Sequence, residues 1–371
     1  MKKIIILGGG ISGLVTAIQL ARQDLPVILI EKKTYPFHRV CGEYISNEAK
    51  PFLRSAGLFP DHLNPPPISK FRLTSVNGKA AQMTLDLGGF GVSRFAFDQF
   101  LSQQAVSSGA RIVTAEVTGV HFEDDSFRIT TGSETFHGDL VIGAHGKRSK
   151  IDVQMDRGFV GRRSPYVGVK YHIRSDNPSD LISLHNFKDG YCGLSNVEGG
   201  RSNLCYLTHR ENIRKFGSIK AMEEAVLFRN PFLKSIFRDS DFLVDKPETI
   251  NEISFETKGL VEQHVLMTGD AAGMITPLCG NGMAMAIHSA KIVSACVVRH
   301  SREPGYTRRQ LESDYEASWK KHFARRLWAG RQIQSLFGGE AVSNFAVKLM
   351  RNAKPLAEFL IRQTHGPPFT D

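Results

Sequence analysis

Tryptophan is scarce, with 2 residues in a chain of 371, and no stretch approaches the roughly 20 consecutive apolar residues that a membrane-spanning helix needs. The five cysteines, Cys41, Cys192, Cys205, Cys279 and Cys296, are odd in number and widely scattered. That spacing supports neither a disulfide framework nor a Cys-x-x-Cys metal site, and no metal is expected. Internal repeats and low-complexity segments are also missing. Acidic residues are in deficit, 37 against 47 Lys and Arg, for a formal net charge of +10. Residues 299–371 carry much of that excess, with 13 Lys and Arg against 7 Asp and Glu. No motif interleaves these charges with aromatic stacking residues, so nucleic-acid binding is not expected. Solvated helix faces are the favoured reading of the basic stretch, with peripheral contact to an acidic membrane surface as the alternative. Met1-Lys2-Lys3 followed by an apolar run resembles a signal peptide only superficially, because no small-residue cleavage site follows, and a cytoplasmic location is expected.

What is present starts at the first turn. The run Ile4-Ile5-Ile6-Leu7 reads as a buried strand and leads into Gly8-Gly9-Gly10-Ile11-Ser12-Gly13, after which Leu14, Val15, Ala17, Ile18, Leu20 and Ala21 follow helical spacing. Gly8, Gly10 and Gly13 give the Gly-x-Gly-x-x-Gly pattern: a tight turn, a close backbone approach to a pyrophosphate, and close helix–strand packing. The amides and dipole at the new helix start attract phosphate. A second apolar run ends at Glu31, about 20 residues past the glycines, where an acid meets the adenosine ribose. The context favours a dinucleotide site over an incidental glycine turn.

Further along, a basic, cysteine-bearing loop (residues 35–46) follows the second strand, where the ligand crevice of such a sheet lies. Asn64-Pro65-Pro66-Pro67 breaks regular structure, and Phe71-Arg72-Leu73-Thr74 and Met83-Thr84-Leu85 alternate like paired strands ended by Gly88-Gly89-Phe90-Gly91. Ser93 is a plausible helix cap. Residues 139–146 form another buried strand returning to the first sheet. Alternation in residues 166–173 and 201–207, separated by turn-rich sequence, predicts an inserted antiparallel sheet. The chain comes back at residues 260–267 and runs into Thr268-Gly269-Asp270-Ala271-Ala272-Gly273, then Pro277-Leu278-Cys279-Gly280-Asn281-Gly282-Met283 and a long helix. Asp270 can accept bonds from a sugar-like hydroxyl chain, and the turn at Gly280, Asn281 and Gly282 presents amides at a helix start, suited to negative charge on a reduced flavin ring.

The paired motifs GGGISG and GDAAGMITPLCGNG, with DLVIGAHGKRS between them, resemble the FAD-dependent family that contains the group A flavoprotein monooxygenases and the geranylgeranyl reductases. VCGEYIS is similar to the cysteine-glycine-glutamate loop of the reductase-like branch. The resemblance covers roughly residues 1–300. It implies an α/β fold: a Rossmann-like FAD-binding domain (residues 1–64, 93–158 and 258–300), an inserted antiparallel β-sheet substrate domain (residues 65–92 and 159–257) and a C-terminal helical segment (residues 301–371). It further implies that Gly8, Gly10, Ser12 and Gly13 hold the pyrophosphate, Glu31 with Lys32 the adenosine ribose, and Asp270 the ribityl chain. Arg39, Cys41, Arg94, Val117, Gly269, Pro277, Gly280, Asn281, Gly282 and Met283 complete the cofactor site. NAD(P)H would dock transiently as electron donor, since no second Gly-x-Gly-x-x-Gly exists.

The chain departs from the family pattern in three places. His145 stands where the family usually has aspartate before the glycine, Gly273 stands where many aromatic hydroxylases carry histidine, and Gly190-Tyr191-Cys192-Gly193-Leu194-Ser195 lacks the tryptophan and proline of the reductases' substrate motif. The expected activity is hydroxylation of an apolar aromatic or polyketide-like molecule by oxygen through a flavin 4a-hydroperoxide, with saturation of prenyl or other lipid double bonds as the alternative. A non-catalytic flavin-binding or membrane-surface subunit is the reading from another class. His172 and Tyr191 are the candidate catalytic residues, as a base that raises phenol nucleophilicity. Ordinary packing or hydrogen bonding is the competing role for both. Cys41 and Cys279 read as packed thiols. Trp319, Phe323, Leu327 and Trp328 read as part of a helical cap over the cleft.

Overall fold

The first four apolar residues of the chain's opening strand, Ile4–Leu7, are wholly buried, and everything else is laid beside them. The computed structural model describes residues 1–161, 164–251, 253, 255–276, 279–334 and 339–370. Ile4–Leu7 pairs in parallel with Val27–Glu31 on one side and Leu140–Gly143 on the other. These pair in turn with Arg111–Thr114 and Val265–Met267, again in parallel, and Val261–Glu262 closes the edge antiparallel. Strands covered on both faces read as unbroken apolar runs, which is why residues 4–7 and 140–143 were legible. The opening helix Ile11–Ala21 packs between the helices Arg94–Ser107 and Gly282–Arg302. Ser93 caps the first of these by accepting from the Ala96 amide at 3.2 Å. A three-stranded antiparallel sheet, Val117–Glu123, Ser126–Thr131 and Thr135–Gly138, leads the chain back to Leu140–Gly143.

The second sheet is larger, with nine strands among the described residues. Tyr166–Arg174, Arg201–His209, Gly190–Val197 and Leu181–Phe187 run antiparallel in that spatial order. Leu181–Phe187 then pairs in parallel with Pro67–Thr74, which pairs with Ala80–Gly91, and Tyr44–Ser46 ends the row. Two strands thus occupy the stretch that reads as turn-rich: Leu181–Phe187 is buried on both faces and has no apolar–polar alternation to reveal it. Ala80–Gly91 also runs straight through the glycines at 88, 89 and 91, because the Ile68 carbonyl, the Tyr44 ring and the Asn196 carbonyl lie against them in turn and leave no room for side chains.

One face of this sheet carries Val167, Val169, Tyr171, Ile173, Cys192, Leu194, Leu204 and Tyr206 into an apolar cluster under the helices Ile219–Val226 and Pro231–Asp239. Buried Glu223 sits inside it and accepts from the Tyr171 and Tyr206 hydroxyls at 2.9 and 2.7 Å. The opposite, inner face has a polar end around Lys170 and His172 and an apolar end formed by Leu73, Met83, Leu184, Tyr191 and Leu207.

After Gly282–Arg302 the long helix Arg308–Gln334 lies along it, burying Leu311, Tyr315, Trp319, Phe323 and Leu327 at four-residue spacing. The helices Glu340–Asn352 and Lys354–Arg362 then cross the apolar end of the inner face, where Val347, Met350 and Ala357 are buried. No helix of the described residues is long and apolar enough to cross a membrane. The C-terminal arm is tied to the rest by Glu48, whose buried carboxylate accepts from Arg326 Nη1 at 3.0 Å, Asn281 Nδ2 at 3.3 Å and the Gly366 amide.

Breaking that tie from one side leaves a buried charge short of a partner, so Arg326→Met is expected to cost about 3 kcal/mol. Adding Glu48→Gln should return part of the loss, measured by chemical unfolding of the FAD-loaded protein. A double variant no more stable than Arg326→Met would contradict the assignment.

Candidate active site

The glycine turn takes its shape from contacts that exclude side chains. Gly8 has φ +105° and a Cβ there would meet the Ala144 carbonyl oxygen at 2.5 Å, while a Cβ on Gly13 would overlap the Gly8 carbonyl. The helix it launches has Gly10 at its N-cap, no side-chain cap bond and no acid in its first turn. Its first amides are left for an anion. Glu31, at the end of the neighbouring strand, is buried and accepts from the Gly9 amide at 2.9 Å and from Arg39 Nη2 at 3.0 Å. Lys32, next in sequence, is exposed.

More than 250 residues later the second turn is stitched to the first by hydroxyls. Ser12 Oγ and Thr268 Oγ1 are 2.7 Å apart, Thr268 Oγ1 and Ser289 Oγ 2.8 Å, and the Gly269 amide donates to Ser289 Oγ at 3.2 Å. Trp319 Nε1 donates to the same Ser289 oxygen at 3.2 Å. Asp270 and Gly282 line one small cleft. The helix Gly282–Arg302 also starts without a side-chain cap or an acid in its first turn, so two uncapped N-termini serve this region. A Cβ on Gly280 would come within 3.3 Å of the Tyr44 ring, and Met283 is buried. The residues present therefore fit a dinucleotide carrying a flavin: a side-chain-free phosphate cradle, an acid at the ribose position, and a second helix start at the far end.

Not every expected residue is disposed alike. The Asn281 side-chain nitrogen is committed elsewhere, donating to Glu48 and to the Thr364 carbonyl at 3.0 Å. Val117 is buried in the main core at the start of its strand. Pro277 lies outside the described residues. Cys279 is a packed thiol beside Thr276 Oγ1 at 3.2 Å, and burial pushes its pKa up to about 11. His145, the departure in the middle motif, meets Asp152 at 3.0 Å; Arg157 joins the same carboxylate oxygen at 2.8 Å, and Ser149 and Asp152 form a capping box. It is a structural turn residue.

Arg39 and Arg94 converge on Asp98, which is 1% exposed, with bonds of 3.2 Å from Arg39 and 2.8 and 2.7 Å from Arg94. Asp98 holds the Arg94 guanidinium charged against its burial, and Cys41 and Asp270 are close enough to act on it too. The loop from Arg39 to Glu43 is clamped onto the polar end of the inner sheet face. Lys170 Nζ donates to the Arg39 carbonyl at 3.1 Å and to Glu43 Oε1; His172 Nε2 lies 2.6 Å from Glu43 Oε2; Asn203 Nδ2 donates to the Cys41 carbonyl at 3.1 Å and Ser195 Oγ to the Gly42 carbonyl at 3.2 Å. Glu43 Oε1 also accepts from the Arg94 amide at 2.8 Å. Burial pushes the Glu43 carboxyl up, but Lys170 and His172 outweigh it and hold it below the ordinary carboxylate range. His38 lies edge-on to His172, 5.4 Å between ring centroids, and stacks on Phe95.

The two candidate catalytic residues are not brought together. Tyr191 is opposite Leu207, which pairs with Gly168, so it sits two strands across and four residues along from His172 and is packed in the apolar cluster. Sequence reasoning passed over Glu43 and Lys170 as individual residues. The usable signal was Lys170 itself, a charge on the same strand face as His172 inside an otherwise apolar strand. It also missed Lys258, which is buried, donates to the Asp270 carbonyl at 2.8 Å and to the Lys147 carbonyl at 2.6 Å, and is lowered by burial to about 8.

Comparison with known proteins agrees with this geometry. Residues 1–302 match the family described as FAD binding domain. A curated relative, digeranylgeranylglycerophospholipid reductase 2 of Methanothermobacter thermautotrophicus, is 26% identical over 91% of this chain and 88% of its own length. Among solved structures, the flavin-dependent brominase Bmp2 superposes with a TM-score of 0.78 at 17% identity, covering 98% of this chain and 93% of that one. A geranylgeranyl bacteriochlorophyll reductase-like protein of Thermoplasma acidophilum gives 0.76 at 19% identity, covering 98% and 95%. These two likenesses show the shared fold.

A carboxylate whose folded pKa is below its unfolded value stabilises fully above that unfolded value, near 4.5 for Glu43, and loses the contribution as pH falls through the folded value. Glu43→Gln is therefore expected to be less stable than the parent at neutral pH, with the gap narrowing below about pH 4.5. An unchanged gap in unfolding midpoints down to about pH 3.5 would show that Lys170 and His172 do not hold Glu43 charged.

Proposed function

The chain belongs to the FAD binding domain family and is an FAD-dependent oxidoreductase; on that premise we propose that it saturates carbon–carbon double bonds in a prenyl or comparable lipid chain. The observation that carries this reading is the inner face of the large sheet, which passes from the Glu43–Lys170–His172 cluster to an apolar floor roofed by the last two helices. Supporting it are the cysteine-glycine-glutamate loop that this cluster anchors and the digeranylgeranylglycerophospholipid reductases among the curated relatives.

Bound FAD would supply the redox chemistry, either a hydride for the carbon that protonation of the alkene leaves electron-deficient or the activation of oxygen. In this reading Gly8, Gly10, Ser12 and Gly13 hold its diphosphate, Glu31 the adenosine ribose and Asp270 the ribityl hydroxyls. A transiently docked NAD(P)H is the proposed source of electrons. The protein's own tasks are to exclude water, lay the rest of the apolar chain along Leu184, Leu207 and Met83 with the reacting alkene toward His172, and supply one proton for each hydride. His172, held by the carboxylate of Glu43 that it shares with Lys170, is the proposed proton donor, and half-buried His38 connects it to solvent. Oxygen-dependent hydroxylation of an apolar aromatic draws on the same chamber; its specific support is the His172 imidazole on Glu43, placed to act as a base for a phenol.

Purified protein is expected to be yellow, and Asp270→Ala to lose FAD without unfolding. Reduced without oxygen and given a prenyl lipid in detergent, the protein should yield a product two hydrogens heavier per double bond. His172→Ala should slow that reaction about 100-fold while FAD affinity stays within about threefold. No saturation of any prenyl lipid, with hydroxylated phenol formed when oxygen is admitted, would replace this reading by the second.

A further inference from the structure

The last two helices that roof the chamber have two apolar faces, and only one is used inside the molecule. On Lys354–Arg362 the inward residues Ala357 and Ile361 join the chamber cluster, while Leu356, Phe359 and Leu360 are exposed. Their spacing of three and four puts these three on one stripe of the helix. On Glu340–Asn352, Val347 and Met350 point inward and Phe345, 64% exposed, points out with Lys348. Trp328, 59% exposed, shares the outer stripe of Arg308–Gln334 with Lys321 and Arg325, and Arg325 Nη2 donates to Gln363 Oε1 at 2.8 Å, joining that stripe to the end of the last helix. Five of the nine exposed large apolar side chains among the described residues fall in residues 328–360. Charge gathers around them: residues 320–362 contain nine Lys and Arg and only two Glu.

An apolar stripe facing water within such an excess of cations suits an interface that is apolar below and anionic above. We infer that the outer faces of the three C-terminal helices dock on an anionic lipid bilayer, with Leu356, Phe359, Leu360, Phe345 and Trp328 entering the acyl boundary and Lys321, Lys348 and Arg351 meeting the headgroups. Because the inner faces of the last two helices are the chamber's roof, docking sets only these helices between the bilayer and the inner face of the large sheet. A lipid-borne alkene would then enter between them and the rim of that sheet, which deepens the reductase reading and rests on it for the substrate alone. The charge balance selects a lipid surface over a second copy of the chain, whose identical +10 charge would oppose self-association through this basic face.

Flotation of the FAD-loaded protein with vesicles tests the docking. The protein is expected to float with phosphatidylcholine vesicles containing phosphatidylglycerol and to remain below when phosphatidylcholine is used alone. Phe359→Glu/Leu360→Glu should reduce the floated fraction at least about tenfold, and Lys348→Glu/Arg351→Glu comparably, with FAD absorbance unchanged in both. Absence of flotation with anionic vesicles, or flotation of both variants equal to that of the parent, would overturn the inference. So would a concentration-dependent dimer of the parent that Phe359→Glu/Leu360→Glu abolishes, because the face would then belong to a second copy. Prenyl saturation in detergent is measured separately, and its failure bears on the reaction and leaves the docking result standing.

Discussion

The structure depends on a short chain of buried hydroxyls, Ser12, Thr268 and Ser289, that fastens the first turn of the protein to a turn more than 250 residues away. Thr268 bridges the two serines, and Ser289 also accepts from the Gly269 amide and the Trp319 indole, so the joint is held without a charge. It places two helix starts, at residues 11 and 282, in one region, and neither is capped by its own side chains. A helix that leaves its first amides free in the interior has to find an acceptor elsewhere. The local sequence thus creates a demand for anionic groups that a diphosphate and a reduced flavin ring meet together.

The large sheet works by separating its two faces. Its outer face is a conventional core under helices, with a single buried acid, Glu223, held by two tyrosines. Its inner face has a charged end that pins the loop of residues 39–43 and an apolar end under the C-terminal helices. A carboxylate, an ammonium and an imidazole buried together are costly unless mutually paired, and here every charge has a partner of opposite sign or a carbonyl. In the proposed function this cluster exchanges a proton beside the apolar chamber, giving one up in alkene saturation or taking one in phenol activation. The roof over that chamber is a late addition in the chain, and Glu48 fastens the segments on either side of it.

Legibility followed the range of the interactions. Gly8, Gly10 and Gly13 were readable because their reason is local: a tight turn and a helix–strand contact within six residues. Asp270 and the turn around Gly280 were readable from the same strand-to-helix logic and became specific only as the partner of the first turn. Glu43 and Lys170 carried no such mark, since each is explained by the other across 127 positions. Leu181–Phe187 escaped because a strand buried on both faces has no alternation, and Tyr191, read beside His172, proved to lie with the apolar residues because strand register rather than residue type decides what meets. His145, a departure from the family pattern in sequence, is held in its turn by Asp152 seven residues on.

The central claim, that the two turns form one site for a dinucleotide whose far end is a flavin, is tested most directly by titrating the cofactor-free protein with FAD and with FMN. The account predicts FAD binding tighter by at least about 100-fold, since the second phosphate and the adenosine ribose engage residues 8–13 and Glu31. Equal affinity for the two would mean that the first turn takes no part in holding the cofactor, and would contradict the account at its starting point.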